Sequence, residues 1–154
     1  MLQVFNIDTV PEEFIDDPKF DSEMKTIYLG EAAGSDKIYV NIDYVKPGAN
    51  SVKYHSHSKQ EEFFLVLNGC GILRINDEEI PVKQGDFIAK PAGKNIAHQF
   101  INNGSEILQI LDCGLKENDE TITYSDEGVV LLKKEKLVFK ISDAIKEWSS
   151  NPNV

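Results

Sequence analysis

The residues of this sequence best suited to chemistry are its three histidines, His55, His57 and His98, and the glutamates that follow the first two. His55 and His57 are two positions apart, and side chains at that spacing on a β-strand project from the same face. Both imidazoles can therefore approach a single point. Imidazole nitrogens and a carboxylate form the mixed ligand set that divalent first-row metal ions favour, so the pattern predicts a metal site.

A carboxylate for such a site is available in the run EEFFLVL, residues 61–67. Alternation along a strand places Glu62 on one face with Phe64 and Val66. Glu61 lies on the opposite face. One of the two glutamates must point inward, and alternation alone leaves open which of them it is.

The spacing of these residues resembles the first motif of the cupin superfamily. That motif is approximately a glycine, five residues, His-x-His, three or four residues, a glutamate, six residues and a glycine. This sequence has Gly48, six residues, the run HSH at 55–57, four residues, Glu62, six residues and Gly69. The match favours Glu62 over Glu61 as the inward carboxylate, with one extra residue after Gly48.

A second stretch resembles the second motif of the same superfamily, which is a glycine, five residues, Pro-x-Gly, two residues, a histidine, three residues and an asparagine. Here the sequence has Gly85, five residues, the run PAG at 91–93, four residues, His98, three residues and Asn102. The segment 94–97 is thus longer than the motif, whereas the spacing from His98 to Asn102 is kept. All three histidines of the chain fall on motif positions.

The resemblance implies an all-β fold, a double-stranded β-helix or jelly-roll barrel, with a divalent metal ion in its interior. The ion would be iron, manganese, nickel or zinc, and its implied ligands are His55, His57, Glu62 and His98. Four protein ligands leave about two coordination positions open for a small molecule. Strand alternation predicts an apolar lining for the ligand pocket, formed by Phe64, Val66 and Phe100.

The activities that the resemblance implies range from dioxygenases, isomerases and decarboxylases to simple sugar binding. We expect a metal-binding protein that acts on or binds a small polar metabolite in the barrel interior. Whether it is an enzyme stays open, and no catalytic residue is assigned. The alternative is a metal-free, non-catalytic module that binds or senses a small, sugar-like ligand. Arg74, the only arginine, could bind a ligand carboxylate, although a surface position is the stronger expectation.

The charge balance weighs against nucleic acid as a partner. The chain has 154 residues, with 16 basic and 26 acidic side chains and a net charge of −10, which repels phosphate backbones. No apolar run approaches the length of a membrane span, and the first ten residues lack the pattern of an export signal. We therefore expect a cytoplasmic protein with no membrane partner.

The elements that must position the histidines are predicted to be short strands. β-Branched and aromatic runs separated by turn residues extend over 25–140, and they predict the barrel. Turns are expected at Asn68-Gly69, at 76–79, at Gly85-Asp86 and at 102–104. Residues 1–24 are predicted to form an irregular N-terminal arm. Residues 141–154 are predicted to form a short C-terminal helix and tail, in which Ser142 is the N-cap and Ile145 and Trp148 share a face.

Two strands carry further predictions. In KIYVNIDYV, residues 37–45, strict alternation separates an apolar face from a polar face that includes Asn41 and Asp43, and the polar face is expected to contact solvent. The strand at 61–67 is apolar on both faces, so something must cover its outer side. A second subunit or a terminal segment would do so, and we expect a homodimer.

Overall fold

The structure, a computed structural model, describes residues 3–20, 22–145 and 147. Strands dominate this part of the chain, with one short α-helix, α1 (Leu29–Ala32), and 3-10 turns at Ile7–Thr9, Pro18–Phe20 and Ile141–Asp143. The strands are β1 (Glu12–Asp17), β2 (Ser22–Tyr28), β3 (Ile38–Val45), β4 (His55–His57), β5 (Glu62–Asn68), β6 (Cys70–Ile75), β7 (Glu78–Lys83), β8 (Phe87–Lys90), β9 (His98–Ile101), β10 (Leu108–Leu115), β11 (Thr121–Tyr124), β12 (Val129–Leu132) and β13 (Leu137–Lys140).

The strands form two antiparallel sheets that enclose the interior. One sheet has the order β1-β2-β3-β10-β5-β8, and the other has the order β13-β12-β11-β4-β9-β6-β7. Strands that are distant in the chain lie side by side in these sheets; for example, β4 lies between β11 and β9. The expected all-β fold is confirmed. Among the described residues, no helix has the length and apolar character needed to cross a membrane.

The turns fall where the sequence predicts them. Gly69 has a positive φ of 82°, and a Cβ there would lie 2.6 Å from the backbone oxygen of Ile107. This turn between β5 and β6 therefore requires glycine. Asn76 and Asp77 also adopt positive φ in the turn from β6 to β7, which asparagine and aspartate tolerate better than most residues.

The N-terminal arm differs from the prediction that residues 1–24 are irregular. Glu12–Asp17 form β1, which pairs in antiparallel register with β2. Ile15 packs against the buried core, and Glu12 forms an ion pair of 2.7 Å with Lys25 on β2. Two prolines and a high acidic content favoured an irregular arm, but one inward apolar side chain and strand pairing are enough to add this segment to the sheet edge.

The predicted C-terminal helix is wrong for the residues that the structure describes. Ile141–Asp143 form a single 3-10 turn, and Ala144 returns to extended backbone. The backbone N–H of Ile141 donates to the carbonyl of Gly128, which ties the segment to the turn between β11 and β12. The hydroxyl of Ser142 contacts the Asp143 carboxylate instead of capping a helix. Trp148 lies outside the described residues.

The polar face of β3 is turned in the opposite direction from the prediction. Asp43 is 7% exposed and faces the interior, whereas Ile38, on the face expected to be covered, is 47% exposed. Alternation defines two faces of a strand without saying which one is inside. In this barrel the interior beside β3 is a cavity to which other polar side chains, such as Thr26 and Gln60, also contribute, so the polar face belongs inside.

A candidate metal centre between the two sheets

The histidines and the glutamate converge from opposite sheets. β4 is the three-residue strand HSH, and His55 on it pairs directly with His98 on β9. Glu62 begins β5 in the other sheet and faces the histidines across the interior. Ligand atoms of His55, Glu62 and His98 all lie within 4.8 Å of one another. Glu62 is 4% exposed, whereas Glu61 points outward.

His57 lies beside this group of three, outside the set whose ligand atoms all converge, and makes two contacts with it. Its Nε2 lies 2.9 Å from Nε2 of His55 and 3.4 Å from Oε1 of Glu62. Metal–nitrogen bonds of about 2.0–2.1 Å place two ligands of the same ion roughly 2.9 Å apart at a right angle and roughly 3.4 Å apart at the tetrahedral angle. The spacing of these side chains therefore fits a shared first-row ion.

The two close imidazole nitrogens both present lone pairs. Nδ1 of His55 lies 2.7 Å from the carbonyl oxygen of Lys53, and a carbonyl can only accept, so Nδ1 carries the proton. Nδ1 of His57 lies 3.1 Å from both oxygens of the Glu120 carboxylate and must likewise donate. Burial lowers the pKa of His55 to about 4 and also lowers the pKa of His57. Both rings are therefore neutral near pH 7, and their facing lone pairs repel unless a cation lies between them.

His98 completes the group of three side chains. Its ring is 4% exposed, and burial lowers its pKa well below the usual value. Its Nε2 lies 3.8 Å from Oε2 of Glu62, so this nitrogen is turned toward the group. Within the described part of the chain, the other ring nitrogen, Nδ1, is buried without a hydrogen-bond partner, an unusual state for a buried polar atom.

Glu62 is held in its charged form by three neighbours that sequence analysis does not identify. Nζ of Lys90 lies 2.7 Å from Oε2, an ion pair whose angles fall short of a hydrogen bond. Gln60 and Tyr39 each contact Oε1 at 3.0 Å. Burial opposes ionisation, but the electrostatic influence of His98, His57 and Lys90 brings the pKa of Glu62 down to about 2.

Glu120 is a further residue that sequence analysis misses. It precedes β11, and the pairing of β11 with β4 brings its buried carboxylate against His57. Lys133 donates to the same carboxylate at 2.8 Å. Burial opposes ionisation here as well, yet the hydrogen bond from Lys133 and the neighbouring His57 lower the pKa of Glu120. A carboxylate on Nδ1 fixes the ring so that Nε2 faces the interior, as outer partners of metal-binding histidines do.

A cavity of about 300 Å³ opens beside the histidines. Phe64 and Phe100 line it. Val66 lines a second, more apolar cavity of about 340 Å³ on the far side of these two rings. The long segment 94–97 does not contribute to the lining of the first cavity among the described residues.

Arg74 lies on the outer side of the second sheet. It donates to the Asp126 carboxylate at 2.6 and 3.0 Å and stacks over the ring of Tyr54, with 3.8 Å from its guanidinium carbon to the ring centre. The surface position expected for this residue agrees with these contacts, and Arg74 is not part of the cavity lining.

The chain is similar to known proteins in both sequence and fold. A family model described as a cupin domain matches residues 42–114. An uncharacterised protein of Methanocaldococcus jannaschii is 32% identical over 89 residues, and an oxalate-binding protein of Thermotoga maritima is 31% identical over 65 residues. The matches cover 58% and 42% of this chain. They span 65% and 52% of the two relatives, in both cases less than two thirds of the relative's length.

Solved structures match over more of the chain. A sugar phosphate isomerase from a cupin superfamily, from Silicibacter pomeroyi, has a TM-score of 0.81 and 26% identity, with 92% of this chain and 95% of that chain covered. A protein of Acidithiobacillus ferrooxidans, described provisionally as a sugar phosphate isomerase, has a TM-score of 0.86 and 24% identity over 96% and 97% of the two chains. The second likeness establishes the fold alone.

Proposed function

This chain is a small protein of the cupin superfamily, and on that premise we propose that it binds a divalent metal ion and acts on a small hydroxylated metabolite beside that ion. The proposed ligands are His55, His57, Glu62 and His98. The observation that supports the proposal most strongly is the 2.9 Å separation of two imidazole nitrogens that both present lone pairs. Iron, manganese, nickel and zinc all accept such mixed ligands.

A divalent ion would supply Lewis-acid chemistry to a bound carbonyl or hydroxyl group when it is present. The residues of the chain have separate tasks. The carboxylate of Glu120 orients His57 through Nδ1, and Lys90 balances the charge of Glu62. Phe64 and Phe100 exclude water from one side of the cavity, which strengthens polar interactions inside it.

The cavity lining favours hydroxyl groups as the substrate's recognised feature. Polar side chains that can both donate and accept hydrogen bonds line it: Thr26, Tyr39, Asn41, Ser51 and Gln60. Among the described residues that line it there is no lysine or arginine, the side chains that usually bind phosphate or carboxylate groups. A sugar or another polyol is therefore preferred over a dicarboxylate such as oxalate, and any phosphate would lie outside the cavity.

A metal-free binding module is the second candidate, and one observation favours it. The ammonium group of Lys90 already neutralises Glu62, so this carboxylate does not need an ion to balance its charge. Under this alternative the cavity would bind a sugar-like molecule without catalysis. The lone-pair contact between His55 and His57 counts against it, since no proton or cation then separates the two nitrogens.

Metal analysis tests the proposal directly. Protein purified without an affinity tag, stripped with chelator and then incubated with manganese, iron, nickel or zinc should retain about one ion per chain. Affinity is measured by calorimetric titration of the stripped protein. Retention of less than about a tenth of an ion per chain with each of the four metals would favour the metal-free alternative.

We also propose a homodimer through the outer face of the first sheet. Phe63 on β5 and Phe87 on β8 stack there with ring centres 6.0 Å apart, and Phe87 is 72% exposed. Ile38 and Leu115 extend the apolar surface along β3 and β10. A patch of this kind suits an isologous contact, in which the same surface of two copies meets across a twofold axis.

Replacing Phe63 by glutamate should convert the dimer to a monomer, because two buried carboxylates would face each other across the twofold contact. Sedimentation equilibrium of the variant and the wild type measures the change in mass. Val138→Glu, at an exposed apolar position on β13, is the matched control and should remain dimeric. A wild-type monomer, or an unchanged Phe63→Glu dimer, would refute this interface.

A further inference from the structure

Besides Glu62, a pair of aspartates lies on the wall of the same cavity. Asp43 on β3 and Asp112 on β10 both line it, on adjacent strands of the first sheet. In the register of these strands Asp43 is opposite Ile110 and Asp112 is opposite Asn41, so the two carboxyl groups are diagonal neighbours on one face. Diagonal neighbours are roughly 7 Å apart. The pair therefore faces the space beside the metal group.

Asp112 carries a proton, because the Tyr39 hydroxyl that lies between Asp112 and Glu62 has only one proton to donate. The hydroxyl of Tyr39 lies 2.9 Å from Oδ1 of Asp112 and 3.0 Å from Oε1 of Glu62. A phenol has one proton and can donate to only one of these oxygens. The other contact needs a proton on a carboxyl group. Because Lys90 and Gln60 hold Glu62 as the anion, that proton belongs to Asp112.

Asp43 is in a different state. It accepts a hydrogen bond of 2.7 Å from the hydroxyl of Thr26, which suits a carboxylate. Burial raises the pKa of Asp43 to about 6, and the hydrogen bond from Thr26 opposes the rise. Burial, followed by the charges of Asp43 and Glu62, raises the pKa of Asp112 well above its usual value. Near neutral pH the pair thus comprises one acid and one base, the combination that proton-transfer enzymes use.

A structural role alone does not account for this pair. Burying carboxyl groups is costly, and asparagine or threonine would make the same contacts with Thr26 and Tyr39 at a lower cost. Ligand atoms of His55, Glu62 and His98, which lie within 4.8 Å of one another, belong to residues that line the same cavity. The two carboxyl groups therefore border the space in which the proposed ion and its substrate would lie.

We propose that Asp43 and Asp112 transfer protons to and from an α-hydroxy carbonyl compound held in the cavity, and so interconvert its aldose and ketose forms. The inference rests on the proposed function, since the substrate is held at the histidine and glutamate group. Neither an oxidant nor a second substrate is required.

Protons and electron pairs balance in the two steps of this isomerisation. In the first, the Asp43 carboxylate takes the proton from C2, the C2–H electron pair forms the C1=C2 bond, and the carbonyl oxygen at C1 takes the proton of Asp112. The product is an enediol, with Asp43 protonated and Asp112 ionised. In the second, Asp43 returns its proton to C1 while Asp112 takes the proton of the C2 hydroxyl, which becomes the carbonyl. Both side chains end as they began.

Isotope exchange in the metal-loaded protein tests the inference. Glyceraldehyde, ribose, ribose 5-phosphate and glucose 6-phosphate are incubated in D₂O, and loss of the C2 proton is followed by NMR. The phosphorylated and free sugars separate a requirement for phosphate from recognition of the hydroxy carbonyl group. Exchange on at least one probe is expected, with a loss of about a hundredfold or more in Asp43→Asn and in Asp112→Asn. Asp36→Asn, at an exposed position, is the control and should exchange like the wild type.

A second measurement reports protonation without any substrate. Carboxyl ¹³C spectra of the protein near pH 7, stripped and loaded, should contain one aspartate signal of the neutral acid, present in Asp43→Asn and absent from Asp112→Asn. Exchange within threefold of the wild type in both variants, no exchange with any probe, or no neutral acid would overturn the inference. Metal content is measured on the same samples, so a failure of the proposed metal site is distinguished from a failure of the acid–base pair.

Discussion

Replacing His57 by alanine should weaken the binding of a divalent ion by more than about a hundredfold, because losing a ligand exceeds the roughly 10- to 100-fold effect of losing an outer partner. The variant also removes one of the two lone pairs that face each other at 2.9 Å, so the stripped protein should not be destabilised by their repulsion. Calorimetric titration of stripped protein measures the affinity, and circular dichroism shows that the fold is intact. His55→Ala and His98→Ala should weaken metal binding to a similar extent, and His55→Ala also removes the close lone-pair contact.

Two further variants make this result specific. Glu120→Gln keeps every proposed ligand but weakens the orientation of His57, and it should lower affinity by roughly 10- to 100-fold. Lys59→Ala changes an exposed side chain in the loop after β4 and should leave the affinity unchanged. The ligand assignment fails if His57→Ala binds metal within threefold of the wild type. A loss in Glu120→Gln equal to that in His57→Ala would make Glu120 a ligand.

The second large effect is a loss of unfolding free energy on substitution of Lys90. This side chain is 2% exposed and forms an ion pair with Glu62. Lys90→Met leaves an uncompensated carboxylate in the interior of the stripped protein. Removing one partner of a buried ion pair costs about 3–5 kcal/mol of unfolding free energy. A bound divalent ion would neutralise the same carboxylate, so the loss should be much smaller in the loaded protein. Urea unfolding of both forms measures the difference.

Control variants distinguish the effect of losing the lysine charge from the effect of losing its packing. Lys83→Met, at an exposed position on β7, should change the unfolding free energy by less than about 0.5 kcal/mol. Adding Glu62→Gln to Lys90→Met should restore most of the stability of the stripped protein, since the pair is then removed together. An equal loss in the stripped and loaded forms of Lys90→Met would show that no cation reaches Glu62.

Local spacing was sufficient to predict that His55 and His57 share a face of one strand. It left Glu61 and Glu62 as alternatives, and only the resemblance to the cupin motifs favoured Glu62 and added His98. The turn at Gly69 was predictable from the Asn68-Gly69 pair, and the structure gives Gly69 a positive φ. The shared face and the turn depend on neighbours in the sequence, so a single sequence contains the information needed to find them.

The residues that surround the centre could not be found in this way. Glu120 reaches His57 only because β11 pairs with β4, and it lies 63 positions away in the chain. Lys90 reaches Glu62 because β8 pairs with β5. Asp43 appeared to face solvent because strand alternation does not say which face is inside. Pairing between distant strands and the inward direction of each strand are properties of the whole fold.

The ligands of the candidate site are divided between the two sheets, with the histidines on one and Glu62 on the other. An ion bound by both groups would act as a crosslink between the two layers, in addition to side-chain packing and to the bridges that Asn50 forms with Ser22 and Ile101. Separating the sheets would then require breaking coordination bonds as well as exposing apolar surface. Metal binding would therefore stabilise the contact between the two sheets, and the stripped protein would open more readily at this end.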